Sequence, residues 1–343
     1  MDPRARNRSL DVLRAVAVVA VLVCHFVESP FAEHGWMGVD LFFVLSGFLV
    51  AGLLFDELSR RGTVRPFRFL ARRGFKIYPA FWLMVAVSVV FGPPVRMLTV
   101  ACELLFFQNY GPGLWVHTWS LAVEEHFYLL VAAAFAWRGI FSRLDTPRRQ
   151  VGAFVAGLVA VLASRIVTFV VIPARYKMVF FGTHVRLDAL LFGTLLAWLV
   201  RHPAYGPRMK AYVAVRRAPL AALALLALVP AVVLGRQHWF VITFGLTMVY
   251  LGCGCLLLVA LSVQLTGPVS RALAWLGRSS YSIYLWHLPV HVLLVPALAA
   301  HGLVPASWGK EPAVALVAAL AIGVLGTRLI EDPVLGLRDR VVP

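Results

Sequence analysis

Acidic residues are scarce in this chain of 343 residues: 16 Asp and Glu stand against 32 Lys and Arg, and all charged residues together make up only 14%. A soluble domain carries about 25% charged residues. With 61% hydrophobic residues and a mean hydropathy of +0.83, the composition excludes an ordinary water-soluble fold and predicts a polytopic membrane protein. Cysteine is scarce too. Cys24, Cys102, Cys253 and Cys255 all fall in apolar segments without metal-ligand spacing, so neither a disulfide framework nor a metal site is expected. The stretch "VESPFAEHGW" after the first apolar run offers no small-residue cleavage site, and Met1 onward reads as mature chain. Low-complexity segments, internal repeats and an appended soluble domain are not evident either. The expectation is one transmembrane domain over 1–343.

Apolar runs occupy 10–27, 36–55, 77–92, 97–107, 119–137, 151–172, 179–200, 218–234, 239–262, 279–300 and 313–330. The run at 97–107 is too short to cross a hydrocarbon core about 30 Å thick. If it did cross, the basic segments 138–150 and 201–217 would change sides and the positive-inside bias would fail for half the chain. It is therefore read as re-entrant or interfacial. The fold class is all-α: a membrane helix bundle of about ten transmembrane helices plus that short one, with both termini cytoplasmic. On this topology the inner segments hold twenty-four of the 32 basic residues, while Arg96, Arg175, Lys177, Arg236 and Lys310 lie outside and Arg14, Arg165 and Arg186 within helices. The net charge of +16 is then a topology signal, and a nucleic-acid partner is not needed to explain it.

Ionisable residues inside a membrane are costly and default to functional candidates. In "LDVLRAVAVVAVLVCHF" (10–26), Arg14 and His25 are eleven residues apart. At about 100° per residue they share one helix face, roughly 16 Å apart along the axis. Asp40, Glu124, Glu125, Arg186 and Asp188 fall at a depth similar to that of His25, which suggests a shared cavity at the outer end. Toward the inner face, "RPFRFLARRGFKIYPAF" (65–81) carries Arg72, Arg73 and Lys76. Arg73 and Lys76, three apart, can converge on one anion, and Asp11 is spaced to pair with Arg14. Blander readings accompany these: Arg60 to Arg68 as a lipid-headgroup anchor, His25 as an interhelical hydrogen-bond donor, one of Glu124 and Glu125 as structural, and Trp115, Trp119 and His126 as an interfacial belt. "SSYSIYLWHLPV" (279–290), with Tyr281 and His287, reads as interhelical glue kinked by Pro289.

Together these stretches resemble the acyltransferase-3 family of bacterial membrane O-acyltransferases. The opening helix resembles that family's Arg-x10-His motif at Arg14 and His25. "FLARRGFKIYPAFW" resembles its Arg-x-x-Arg motif, with Lys76 in place of the second Arg. "GVDLFFVLSGFLV", "HTWSLAVEEHFYLL", "VRLDALLFGTLLAW" and "SSYSIYLWHLPV" follow in family order. Lys keeps the charge and loses the planar fork, so a phosphate is held less specifically there. The esterase-like domain that some members carry is not expected, nor any acyl relay to one.

The resemblance implies acyl-CoA as co-substrate, no bound cofactor, and a hydroxylated acceptor, either a surface glycan or a glycosylated small molecule such as a macrolide. It also implies the inner membrane of a bacterium. The residues divide accordingly. Arg14, Arg72, Arg73 and Lys76 suit the donor's phosphates. His25 is the general base, with Asp40 or Glu124 holding its tautomer. Asp11, Glu125, Arg186, Asp188, Tyr281 and His287 serve acceptor binding or support. Cys24 and Ser46 are the nucleophiles nearest His25, but Cys24 points about 100° away from it, so direct transfer is preferred to an acyl-enzyme. The rival reading is a transporter or flippase of an amphiphile. Such folds often repeat broken helices in two halves, whereas the polar sites here cluster in the first six crossings.

The topology predicts that single cysteines introduced in 201–217 label with an impermeant maleimide only after permeabilisation, while those in 301–311 label in intact cells. The opposite pattern would invert the depth assignment.

Overall fold

The computed structural model of the chain describes residues 7–30, 32–136, 146–172, 176–305, 307–308 and 311–342. Arg4, Arg6, Arg138, Arg143, Arg175 and Lys310, which entered the charge count above, lie outside the described residues. Every regular element among those described is helical. The first is α1 (Arg8–Phe26), opened by Asn7, whose side chain accepts from the Ser9 amide at 2.9 Å, an N-cap that satisfies one of the helix's free donors. α2 (Met37–Arg61) ends at Gly62, whose φ of 68° is a conformation glycine adopts without strain. α3 (Pro66–Phe91) begins with proline, which costs nothing at the first helical position.

The short run forms α4 (Met97–Leu104), eight residues and thus about 12 Å long. It cannot span. α5 (Trp119–Ala136), α6 (Pro147–Val171), α7 (Tyr176–Phe181) and α8 (Thr183–Arg201) follow. Then come α9 (Gly206–Val215), α10 (Arg217–Leu234), α11 (Leu246–Ser262) and the amphipathic α12 (Pro268–Arg278). The chain closes with α13 (Ser280–Pro289), α14 (Val295–Ala300), α15 (Pro312–Gly326) and α16 (Asp332–Val341).

Among the described residues nine helical segments are long and apolar enough to cross a membrane. The tenth expected crossing is α5, which has 18 residues and is less apolar because Glu124, Glu125 and His126 lie within it. The chain is a multi-pass membrane protein. Three crossings are interrupted by π-helical turns, at Val241–Gly245, Val290–Leu294 and Thr327–Glu331. The second follows Pro289, where the sequence predicts a kink. π-turns widen the helix by one residue and often mark functional positions.

Two elements fix the core. α2 lies against α8 at backbone contact: a side chain on Gly47 would strike the Leu190 carbonyl, and one on Gly193 the Val44 carbonyl. Small residues at a membrane interface let helices approach this closely, which dispersion rewards where lipid gives no hydrophobic drive. α1 is pinned from the other side, with α12 against its first turns through Gly277, which abuts the Asp11 carbonyl.

Gly193→Ala should lower the thermal stability of the detergent-solubilised chain by an overpacking cost of about 1–3 kcal/mol. Gly152→Ala is the control, since an added Cβ there meets open space. Equal melting temperatures for the two variants would contradict the close α2–α8 contact.

Candidate functional site

Arg14 and His25 do share a face of α1, and both meet the same neighbour, α13. The Arg14 Nε donates to Ser280 Oγ at 3.2 Å, and seven residues further along α13 the His287 ring stands 4.9 Å, centroid to centroid, from the His25 ring. Beside the first of these levels opens a cavity of about 870 Å³, counting the space at its mouth, lined at its polar end by Arg14, Arg73, Lys76 and Glu124; His25 and His287 are not on its wall. Its walls then become apolar, with Val39, Phe42, Leu45 and Leu49 of α2, and its far end reaches Ser120 and Tyr284. From Val50 to Val39 along α2 the cavity extends roughly 16 Å.

Each charged group at the polar end has a local partner. Lys76 is ion-paired with Glu331, a carboxylate in the third π-turn that also accepts from Ser282 and, at 3.2 Å, from Thr327. An ammonium has three N–H donors, and Lys76 also lies on the cavity wall. Arg73 sits 5.4 Å over the Tyr128 ring. Tyr128 donates to Glu124 at 2.9 Å and exchanges a 2.7 Å hydrogen bond with Ser46. Tyr281 anchors the opposite wall by donating to the Ile77 carbonyl at 2.7 Å. Glu125 accepts from Tyr78.

Several expected site residues lie elsewhere. Asp40 does not reach His25. It accepts from Arg186 at 2.8 Å, and the Arg186 guanidinium is packed among the Phe43, Trp119 and Phe180 rings at 5.7, 5.3 and 5.2 Å. Asp188 pairs with Arg165, whose other nitrogens donate to the Val185 carbonyl at 3.0 Å and to the Thr243 carbonyl at 2.8 Å. Thr243 belongs to the first π-turn, so this arginine also satisfies a carbonyl within the irregular turn. The expected outer cavity is therefore a pair of buried ion pairs joining α2, α6, α8 and α11. Burial forces that outcome, because an ion removed from water must be paired.

Glu124 likewise does not hold His25; it faces the basic end of the cavity. Orientation of the imidazole falls to the backbone, with His25 Nδ1 at 2.9 Å from the Val21 carbonyl. A carbonyl only accepts, so Nδ1 carries the proton and Nε2 is left with its lone pair. Arg72 leaves the donor group: it pairs with Asp339 at 2.9 Å and bonds the Val342 carbonyl, tethering the C-terminal helix to α3. Asp11 lines a separate cleft with Arg8, Arg271 and Arg278. Trp115, Trp119 and His126, read as an interfacial belt, each have a partner within the bundle. Trp115 Nε1 donates to Ser88 at 2.8 Å, Trp119 stacks on Phe181, and His126 bonds Thr183 at 2.6 Å.

Two residues were not singled out from the sequence. Glu331 lies one position beyond the last apolar run, yet the helix continues through it. His117 stands in the quoted "HTWSLAVEEHFYLL" and is buried against His287, with ring centroids 4.5 Å apart. Among the described residues no group of three or more His, Cys, Asp or Glu is disposed to hold a metal ion.

The buried pair predicts a signature of structure rather than chemistry. Arg165→Leu should destabilise the chain by about 3–5 kcal/mol, because Asp188 is left charged and alone, and the double replacement with Asp188→Leu should recover much of that loss. Thermal unfolding in micelles checks it; additive losses would contradict the pairing.

The chain matches the family model described as an acyltransferase domain over residues 7–331. Two of its relatives are the peptidoglycan O-acetyltransferase OatA of Listeria monocytogenes, 29% identical with 95% of this chain and 55% of that protein aligned, and the O-acetyltransferase OatA of Staphylococcus aureus, 27% identical with 83% and 50% aligned. The chain spans about half the length of these curated relatives. No solved structure matches it. With its motifs in order and the family model covering nearly its whole length, the chain belongs to the acyltransferase-3 family of acyltransferase domains.

Proposed function

We propose that this protein is a membrane O-acetyltransferase that moves an acetyl group from acyl-CoA to a hydroxyl of a cell-envelope glycan in the bacterial plasma membrane. The observation that carries the reading is the convergence of Arg14, Arg73 and Lys76 on one cavity whose far end is walled by Tyr284, whose ring lies 5.7 Å from that of His287, itself 4.9 Å from His25. Fixed cations suit the donor's phosphates, and the apolar walls suit the arm that carries the thioester. The basic end faces the cytoplasm in this reading, where acyl-CoA is available, and both termini are cytoplasmic. The relatives' names support a glycan rather than a macrolide as acceptor: one is named for peptidoglycan.

The reaction follows from the tautomer of His25. Its Nε2 takes the proton of the acceptor hydroxyl as that oxygen attacks the thioester carbonyl, while the Val21 carbonyl holds Nδ1–H and steadies the imidazolium that forms. The carbon–sulfur bond then breaks and CoA departs. No covalent acyl-enzyme is needed. Ser46, the hydroxyl on the cavity wall, is hydrogen-bonded to Tyr128, and the Cys24 sulfur lies 3.8 Å from the Glu33 carbonyl; neither is hydrogen-bonded to the imidazole that would activate it.

CoA release from acetyl-CoA in the presence of soluble peptidoglycan strands tests the reading. His25→Gln should bind donor normally but lose transfer by about 10²- to 10⁴-fold. Arg73→Ala should weaken acetyl-CoA binding by about 1.5–3 kcal/mol, the worth of a charge-assisted contact. Near-normal transfer by His25→Gln would remove the base assignment, and unchanged donor affinity in Arg73→Ala would make the basic cluster a lipid anchor.

A further inference from the structure

The cleft that Asp11 lines lies at the end of the bundle where α1 begins, and the mechanism above makes no use of it. Its walls are Arg8 and Asp11 of α1 and Arg271, Ala274 and Arg278 of α12, around a space of about 650 Å³ counting its open side. It shares no lining residue with the cavity that holds Arg14, Arg73 and Lys76. Three guanidinium groups thus face a single carboxylate. Arg8 gives one nitrogen to the Leu265 carbonyl at 3.0 Å. Arg271 and Arg278 are exposed and, among the described residues, make no hydrogen bond or ion pair. Each carries five N–H donors in a planar fork.

Helical spacing builds this arrangement. Arg271 and Arg278 are seven residues apart, so they leave α12 on one face, about 10 Å apart along the axis. Ala274 stands between them on the same side, and its small side chain leaves the space open. α12 has 11 residues, about 16 Å of helix, and cannot cross a hydrocarbon core. Gly277 sets it against the Asp11 carbonyl, at the end of the first crossing. Its outer surface suits that level: Val269 and Trp275 are exposed, an apolar side chain and an indole of the kind that lie where acyl chains meet headgroups. A further cation, Arg328, lies 5.8 Å over the Trp275 ring.

We propose that this cleft binds the headgroup phosphate of an anionic phospholipid, with Arg271 and Arg278 donating to its oxygens and Arg8 closing the third side. A phosphate needs fixed cationic donors, and basic pockets between helices at the membrane face suit anionic headgroups. The acyl chains then lie along the exposed apolar residues of α12. The 3′-phosphate of CoA has the same chemistry, but the cleft is a space separate from the donor cavity and is flanked by lipid-facing side chains, which favours the lipid. Ser280, two residues after Arg278, is the group to which Arg14 donates, so a lipid seated here braces the helix that carries one wall of the donor cavity.

Native mass spectrometry of the full chain in a neutral detergent tests this, with phosphatidylglycerol and phosphatidylcholine as probes. The wild-type chain should retain phosphatidylglycerol preferentially. Replacing Arg271→Gln together with Arg278→Gln should weaken its binding about tenfold or more and leave phosphatidylcholine unchanged; both arginines are exposed, so this variant should melt with the wild type when no lipid is present. Arg216→Gln with Arg217→Gln is the control. It removes two exposed charges assigned to the same membrane face and should keep the preference. Equal losses in the two variants, or no preference in the wild type, would reduce Arg271 and Arg278 to hydrated surface charge and overturn the proposal. A cleft variant that binds phosphatidylglycerol normally but no longer distinguishes acetyl-CoA from its 3′-dephospho form would also overturn it, because the cleft would then serve the donor. Binding is read without turnover, so the outcome is independent of whether His25 is the base.

Discussion

A charge inside an apolar bundle must be paired or must face a polar cavity, and this constraint sorts the functional from the structural residues here. Arg165 and Arg186 are both buried, and each takes the carboxylate that comes within its reach. The guanidinium fork of Arg165 ties α6 to α8 and to the first π-turn, while Arg186 ties α8 to α2. Four ionisable side chains are committed in this way to holding helices. Arg14, Arg73, Lys76 and Glu124 differ in that they open on a shared cavity. Lys76 is ion-paired with Glu331 and Glu124 lies on the same wall, so part of the cationic charge of the cavity is compensated and a net positive character remains for an anion.

The chemistry proposed above is arranged along a single pair of helices. α1 presents Arg14 and His25 at two depths, and α13 answers with Ser280 and His287, spaced by seven residues and thus also on one face. A donor seated at the basic end would have its thioester directed toward the imidazoles by the apolar walls between. The π-turn after Pro289 begins at Val290, three residues beyond His287, and the one ending at Glu331 places the partner of Lys76. Both irregularities therefore sit at the two ends of the same site. That is where widened turns would be retained despite poorer hydrogen bonding.

Much of the fold was legible in the sequence because each crossing is a long apolar run with basic flanks, and the run at 97–107 was too short to count. The shared face of Arg14 and His25 followed from helical periodicity alone. Pairing was not legible. Depth placed Asp40 near His25, but depth says nothing about which side of α2 it faces, and Arg186 claims it. Arg72 and Arg73 are adjacent in sequence yet turn about 100° apart, one toward the C-terminal helix and the other into the cavity. Glu331 was missed because a π-turn carries the last crossing beyond its apolar run. His117 was missed because a lone histidine beside two tryptophans has no distinguishing pattern until α13 is packed against it.

The central claim is that Arg14, Arg73 and Lys76 define the donor site. A structure of the full chain with a non-hydrolysable acetyl-CoA analogue tests it most directly. The account predicts that the analogue's phosphates lie among these three side chains, with the acyl end beside Tyr284 and directed at His25. Phosphates bound at another surface, with this cavity holding lipid or remaining closed, would contradict it.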